Sequence, residues 1–148
     1  MNWKDVTFSQ LMLDELYELM QLRVDVFVVE QNCPYQELDD KDRLPGSRHL
    51  MGMDDEGKLI CYARILAPGV SYPDCSIGRV LVKQEARGGG KAAQLMKQAM
   101  KVALTYWPDH SIQLGAQAYL QDFYQQLGFK PVSEVYLEDG IPHLDMLY

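Results

Sequence analysis

Three consecutive glycines separate a strand-like run from a helical one in "VLVKQEARGGGKAAQLMKQAM", residues 80–100, and no other stretch of this chain restricts its fold so tightly. Glycine loses the most backbone entropy on ordering and brings no side chain to a core. Gly88-Gly89-Gly90 must therefore supply a backbone geometry. The first N–H groups of a helix lack internal partners, and the aligned peptide dipoles make that end electropositive. Glycines let such bare amides approach a phosphate, and Arg87 and Lys91 place side-chain charge beside them. On this ground alone, a pyrophosphate cradle over Arg87 to Ala93 and a plain glycine-rich turn fit equally well.

The rest of the chain divides around this point. "NWKDVTF" reads as a first strand, and Leu13, Leu16, Tyr17, Met20, Val24 and Phe27 recur at three- and four-residue steps, the apolar face of a helix. Glu30 to Arg48 is polar, holds two prolines and reads as a long connection. Two strand-like runs around Asp54-Asp55-Glu56-Gly57 form a hairpin, Ser76 to Val82 is a strand, and the helix after the glycines stops before Pro108. Ser111 to Ala118 is a strand, "YLQDFYQQLGF" a short helix closed by Gly128, and two strands flank Glu138-Asp139-Gly140. Hairpins around a single strand–helix–strand unit predict a mixed α/β sheet within one domain, 1–148.

Three phosphate-binding patterns compete for the glycines. A P-loop needs glycine where Glu85 stands and serine or threonine where Ala92 stands, so it fails twice. The dinucleotide fingerprint fits Gly88, Gly90 and Ala93, yet the acid it wants after the next strand is replaced by Gln117. The third pattern, Arg/Gln-x-x-Gly-x-Gly/Ala, is met by Arg87, Gly90 and Ala92. Here the sequence resembles the GNAT acetyltransferase superfamily. "AYLQDFYQQLGF" is similar to the later block of that family, a short helix bearing Phe-Tyr and ending in Gly-Phe, in the right order after one intervening strand. "LRVDVFVVEQNCPYQELD", "IGRVLV" and "EVYLEDGIPHLDM" extend the likeness, over nearly the whole chain, to the ElaA-type branch.

The resemblance implies a twisted, mostly antiparallel sheet with helices on both faces and a central parallel strand pair that splays apart. It implies an N-acetyltransferase carrying acetyl from acetyl-CoA to a primary amine of a small molecule or a protein. The backbone of Arg87, Gly88, Gly89, Gly90, Lys91, Ala92 and Ala93 would hold the pyrophosphate, and the backbone of Val80 and Val82 the pantetheine arm. Tyr124, in the Phe-Tyr block, would be the general acid, since a phenol with a pKa near 10 is protonated at neutrality. His143 and Glu30 are alternative bases. Arg79, His49 and Asp39 would shape the acceptor pocket, where the acidic run Glu37, Asp39, Asp40 and Asp42 could attract a protonated amine, although such a run more often forms a solvated face. A CoA-binding module without turnover is the competing reading, and Tyr124 discriminates because a binder needs no placed acid.

Composition excludes other classes. A net charge of −7 (14 basic against 21 acidic residues) opposes nucleic-acid binding; it suits a cationic substrate, and solubility explains an acidic surface equally well. No apolar run approaches the roughly 18 residues of a membrane span, and the N-terminus lacks a signal-peptide pattern. Three cysteines without a CxxC pair point to reduced cytoplasmic thiols and, with three scattered histidines, to no metal site. A homodimer is left open, because no residue pattern marks an interface.

Overall fold

The computed structural model describes Met1–Tyr148. Its elements run β1 (Asn2–Thr7), α1 (Leu13–Val24), β2 (Arg48–Met53), β3 (Leu59–Leu66), β4 (Cys75–Val82), α2 (Lys91–Tyr106), β5 (Ile112–Gln117), α3 (Gln121–Gln126), β6 (Lys130–Pro131), β7 (Tyr136–Glu138) and β8 (Ile141–Leu147). The eight strands form one sheet in the order β1-β2-β3-β4-β5-β8-β6, with β7 also on β8. Every pairing is antiparallel except β4 with β5. The two-residue β6 is too short to show a period in sequence, and the expected order lacks it. No helix is long and apolar enough to cross a membrane.

Strand alternation sorts apolar side chains to two faces. Cys61, Ala63, Leu114, Leu144 and Met146 meet α2 and α3 in the larger core. Met51, Tyr62 and Leu81 meet α1 on the opposite face. All three cysteines are buried and unbridged. Helices therefore cover both sides of the mixed sheet.

The buried stripe of α1 differs from the expected one. Leu13 and Tyr17 are 86% and 73% exposed, while Leu19, Leu22 and Arg23, then Val26 beyond the helix end, are buried. A polar residue at the centre of that stripe hides it from a hydrophobic count. Arg23 is buried because Glu37 and Asp42 neutralise it: Nε lies 2.6 Å from Glu37 Oε1 and Nη1 2.6 Å from Asp42 Oδ1. At Asp25–Glu30 the helix widens into a π-turn, a distortion common beside functional sites.

Two irregularities open the sheet. β4 and β5 pair only at Cys75↔Ile112 and Ser76↔Gln113, and beyond that point they diverge. In β4, Arg79 and Val80 together face the single residue Ala63 of β3, because Tyr62 pairs with Leu81 and Arg64 with Gly78. Arg79 takes the left-handed conformation this bulge requires, with φ 52°.

Candidate active site

A cleft of about 850 Å³ follows the gap between β4 and β5. Arg87, Gly88 and Ala92 line one end; Val80, Val82 and Tyr124 line its middle; Asp39, Arg79, Tyr72 and His143 line the other. One cavity thus gathers residues separated by more than a hundred positions in the chain.

At the first end, all three glycines have positive φ, of 101°, 64° and 74° for Gly88, Gly89 and Gly90. A side chain would strain each of them. The amides of Gly88, Gly89, Gly90, Ala92 and Ala93 donate to no acceptor within the protein, and that of Lys91 reaches only the Gly88 carbonyl at 3.4 Å. Five unpaired donors at an electropositive helix entrance are the arrangement that a diphosphate fits. The Arg87 guanidinium is fixed to one side: Nη1 and Nη2 each lie 2.8 Å from an oxygen of Glu30, and Nε donates to the Val82 carbonyl at 2.9 Å. That bond to Glu30 holds Arg87 above its ordinary pKa.

One expectation changes accordingly. Glu30 is the partner of the loop arginine, so its carboxylate is engaged at this end of the cleft. The Val82 carbonyl accepts from Arg87, which narrows the expected Val82 backbone contact to its N–H.

In the middle of the cleft, Tyr124 is 7% exposed, packed edge-on between Phe123 and Phe129. Burial raises its phenol to about 12. Its hydroxyl bonds to no protein group, yet it is not among the enclosed, unsatisfied polar atoms, so the oxygen reaches the cleft. Across the gap, Gln117 at the end of β5 lines the cleft and pairs with His143 on β8. His143 Nδ1 is 2.7 Å from the Ile141 carbonyl. A carbonyl only accepts, so Nδ1 carries the hydrogen and neutral His143 keeps its lone pair on Nε2. Nε2 lies 3.5 Å from Glu138 Oε2, and the ring stacks on Tyr136.

At the far end, only Asp40 of the acidic run is a solvated surface residue. Glu37 and Asp42 are buried and Asp39 half-buried, and three arginines neutralise them. Arg64 grips Asp39 through two contacts of 2.8 and 2.9 Å, and Arg79 Nε lies 2.9 Å from Glu37 Oε1. Burial opposes ionisation of Asp39, but Arg64, with Arg79, outweighs it and holds the carboxyl at about 2. This network clamps the strap after α1 onto β3 and β4. Asp39 and Arg79 line this end of the cleft with their charges already matched.

His49 does not belong to the cleft. It is fully buried, with Nδ1 2.7 Å from the Tyr62 hydroxyl and Nε2 3.0 Å from the Asp42 carbonyl. Its proposed contact with an acceptor is thereby corrected: it is a packing and hydrogen-bonding residue, kept neutral by burial.

Sequence reasoning passed over Tyr72, Gly115, Tyr136 and Asp145. Asp145 shares a strand face with His143 in "IPHLDML", a signal that was available. Tyr72 stands in the β3–β4 loop, where no periodicity marks it.

The chain matches the model of the acetyltransferase (GNAT) domain over residues 16–148. It is 48% identical over 145 residues to Protein ElaA of Escherichia coli (strain K12), covering 98% of this chain and 94% of that protein. It superposes on the crystal structure of an acyl-CoA N-acyltransferase from Pseudomonas aeruginosa with a TM-score of 0.93 and 46% identity, across 99% of this chain and 97% of that one. On the crystal structure of Escherichia coli ElaA the TM-score is 0.91, with 46% identity and 99% of both chains covered.

Proposed function

The chain belongs to the GNAT acetyltransferase family, as an ElaA-type acyltransferase, and on that premise we propose that it moves an acetyl group from acetyl-CoA to a primary amine. The observation that carries this reading is the set of free amides from Gly88 to Ala93, opening on the same cleft as the unbonded Tyr124 hydroxyl.

Acetyl-CoA supplies an acyl group already activated as a thioester. The loop residues Arg87 to Ala93 hold its diphosphate through backbone N–H groups, and the β4 edge near Val80 aligns the arm in the gap that β5 leaves. Holding both reactants in register is itself a large part of the rate. His143 Nε2 takes the proton from the attacking amine, since only the neutral nitrogen has a lone pair to give. As the C–N bond forms and the C–S bond breaks, Tyr124 Oη gives its proton to the departing sulfur. The high phenol pKa keeps that proton in place until negative charge develops beside it. Arg79 and Asp39 shape the acceptor wall.

Thermal denaturation with acetyl-CoA, NAD and ATP tests the binding half. Only acetyl-CoA should raise the melting temperature, because a ligand stabilises the state that binds it. Thiol release over an amine panel tests the chemical half, and Tyr124→Phe should lower kcat by about a hundredfold or more. Stabilisation by acetyl-CoA without release of thiol by any amine would instead indicate a binding module.

A further inference from the structure

Beyond the reacting centre, towards the closed end of the β4–β5 gap, the Asp145 carboxylate has no cationic partner; Glu138, beside His143, is the other carboxylate at this end without a Lys or Arg. Asp145 Oδ1 accepts from the Tyr136 hydroxyl at 2.7 Å and from the Tyr72 hydroxyl at 3.4 Å, while Oδ2 accepts from no protein group. No Lys, Arg or His forms an ion pair with it, in contrast to Glu30, Glu37, Asp39 and Asp42. Both phenols converge over Gly115 of β5. A Cβ there would lie 3.2 Å from the Tyr136 oxygen and 3.4 Å from that of Tyr72, so only glycine leaves the floor clear. Of this cluster Tyr72 and Gly115 line the cleft, while Tyr136 and Asp145 lie outside its lining and act on it through the Tyr72 oxygen. With its hydrogen directed to Asp145, the Tyr72 oxygen presents its lone pairs outward.

We propose that Tyr72, Tyr136 and Asp145 form a subsite for a second nitrogen of the acceptor, one that stays protonated, which makes the preferred substrate an aliphatic diamine. This rests on the acetyltransfer reading above. Phenol oxygens backed by a carboxylate, with aromatic rings alongside, are the chemistry that recognises an ammonium group. The reacting nitrogen is a poor fit for this place, because a carboxylate beside it would hold its proton and oppose attack. Asp145 and His143 are two residues apart on the same face of β8, a separation of about 7 Å. Four or five methylenes bridge such a distance. The three arginines of the acceptor end contribute no net attraction for an anion, being matched by three acids. Of the other cations lining the cleft, Arg87 is paired with Glu30 at the opposite end, and Lys41 is bonded to Ser71 at 2.8 Å in an exposed position. A net charge of −7 also favours approach of a dication.

The test compares three acceptors of one length on the intact chain with acetyl-CoA: diaminopentane, pentylamine and aminopentanoate, ending in a cation, a methyl group and an anion. The expected order of kcat/KM is diamine, then monoamine, then amino acid, with the diamine ahead of the monoamine by about ten- to a hundredfold. Diaminopropane, too short to reach both residues, should lose most of that advantage. Asp145→Asn and, more mildly, Tyr72→Phe should raise KM for the diamine and abolish the preference, while acetyl-CoA still raises the melting temperature of each variant. Equal use of the three acceptors, preference for aminopentanoate, or a diamine KM indifferent to Asp145→Asn would overturn the subsite. Absence of any stabilisation by acetyl-CoA would overturn the underlying acetyltransferase reading instead, so the two failures are separable.

Discussion

Tyr124, the proposed general acid, illustrates how a role for one side chain is argued from its surroundings. On a six-residue helix it would be an ordinary core aromatic, yet its hydroxyl emerges in the cleft without a partner while the ring is enclosed by Phe123 and Phe129. Because burial lifts the phenol to about 12, the acid stays protonated through the working range. The pH–rate profile should accordingly show no alkaline fall below about pH 10, and Tyr124→Phe should lower the plateau without moving its edges. Arg23 is the structural counterpart. It is fully buried between Glu37 and Asp42, and its removal leaves two carboxylates in a dry site. Arg23→Ala should cost about 3–5 kcal/mol, read from the urea midpoint. Its place in the core was illegible in the sequence, since the acids that neutralise it lie 14 and 19 positions downstream in what reads as a solvated connection.

Among the elements, β4, the glycine turn and α2 were legible because their signals are local. A β run, three glycines and an amphipathic helix need no distant partner to be understood. Helix α1 was legible in existence but not in orientation. Its apolar residues outnumber what the sheet can cover, and the ion network decides which stripe faces inward. Leu19→Ala should therefore cost about 2–5 kcal/mol, whereas Leu13→Ser should stay within about 0.5 kcal/mol in the same chemical denaturation experiment. Equal effects would reverse the assignment of the buried face. The bulge at Arg79 was also invisible in sequence, because it exists only as a mismatch in count between β3 and β4.

For the molecule as a whole, acid stability follows from the groups that the fold perturbs. Asp39 and Asp42 have folded pKa values below their unfolded ones, so the stability they contribute is present above about pH 4 and is lost as pH falls towards 2. His49 also has a depressed folded pKa. The unfolded chain binds its proton first, and stability begins to decline below about pH 6.5. Melting temperature against pH should therefore fall in two stages, gently below 6.5 and steeply below about 4. His49→Gln should remove the first stage, and a single transition at pH 4 in the parent would refute the assignment of His49.

The amino-acid order alone determined the strand–glycine–helix unit, the Phe-Tyr block and thereby the family, since each is a short-range pattern set by backbone conformation and helix ends. It also named Tyr124, His143 and the loop from Arg87 to Ala93. Tertiary structure decided which of those groups keep free hydrogen-bonding capacity: Glu30 and His49 lose theirs to distant partners, while the loop amides and the Tyr124 hydroxyl retain it. It also brought Tyr72, Tyr136 and Asp145 together over Gly115. Reactivity depends on what a group is not bonded to, and that is a property of packing in three dimensions.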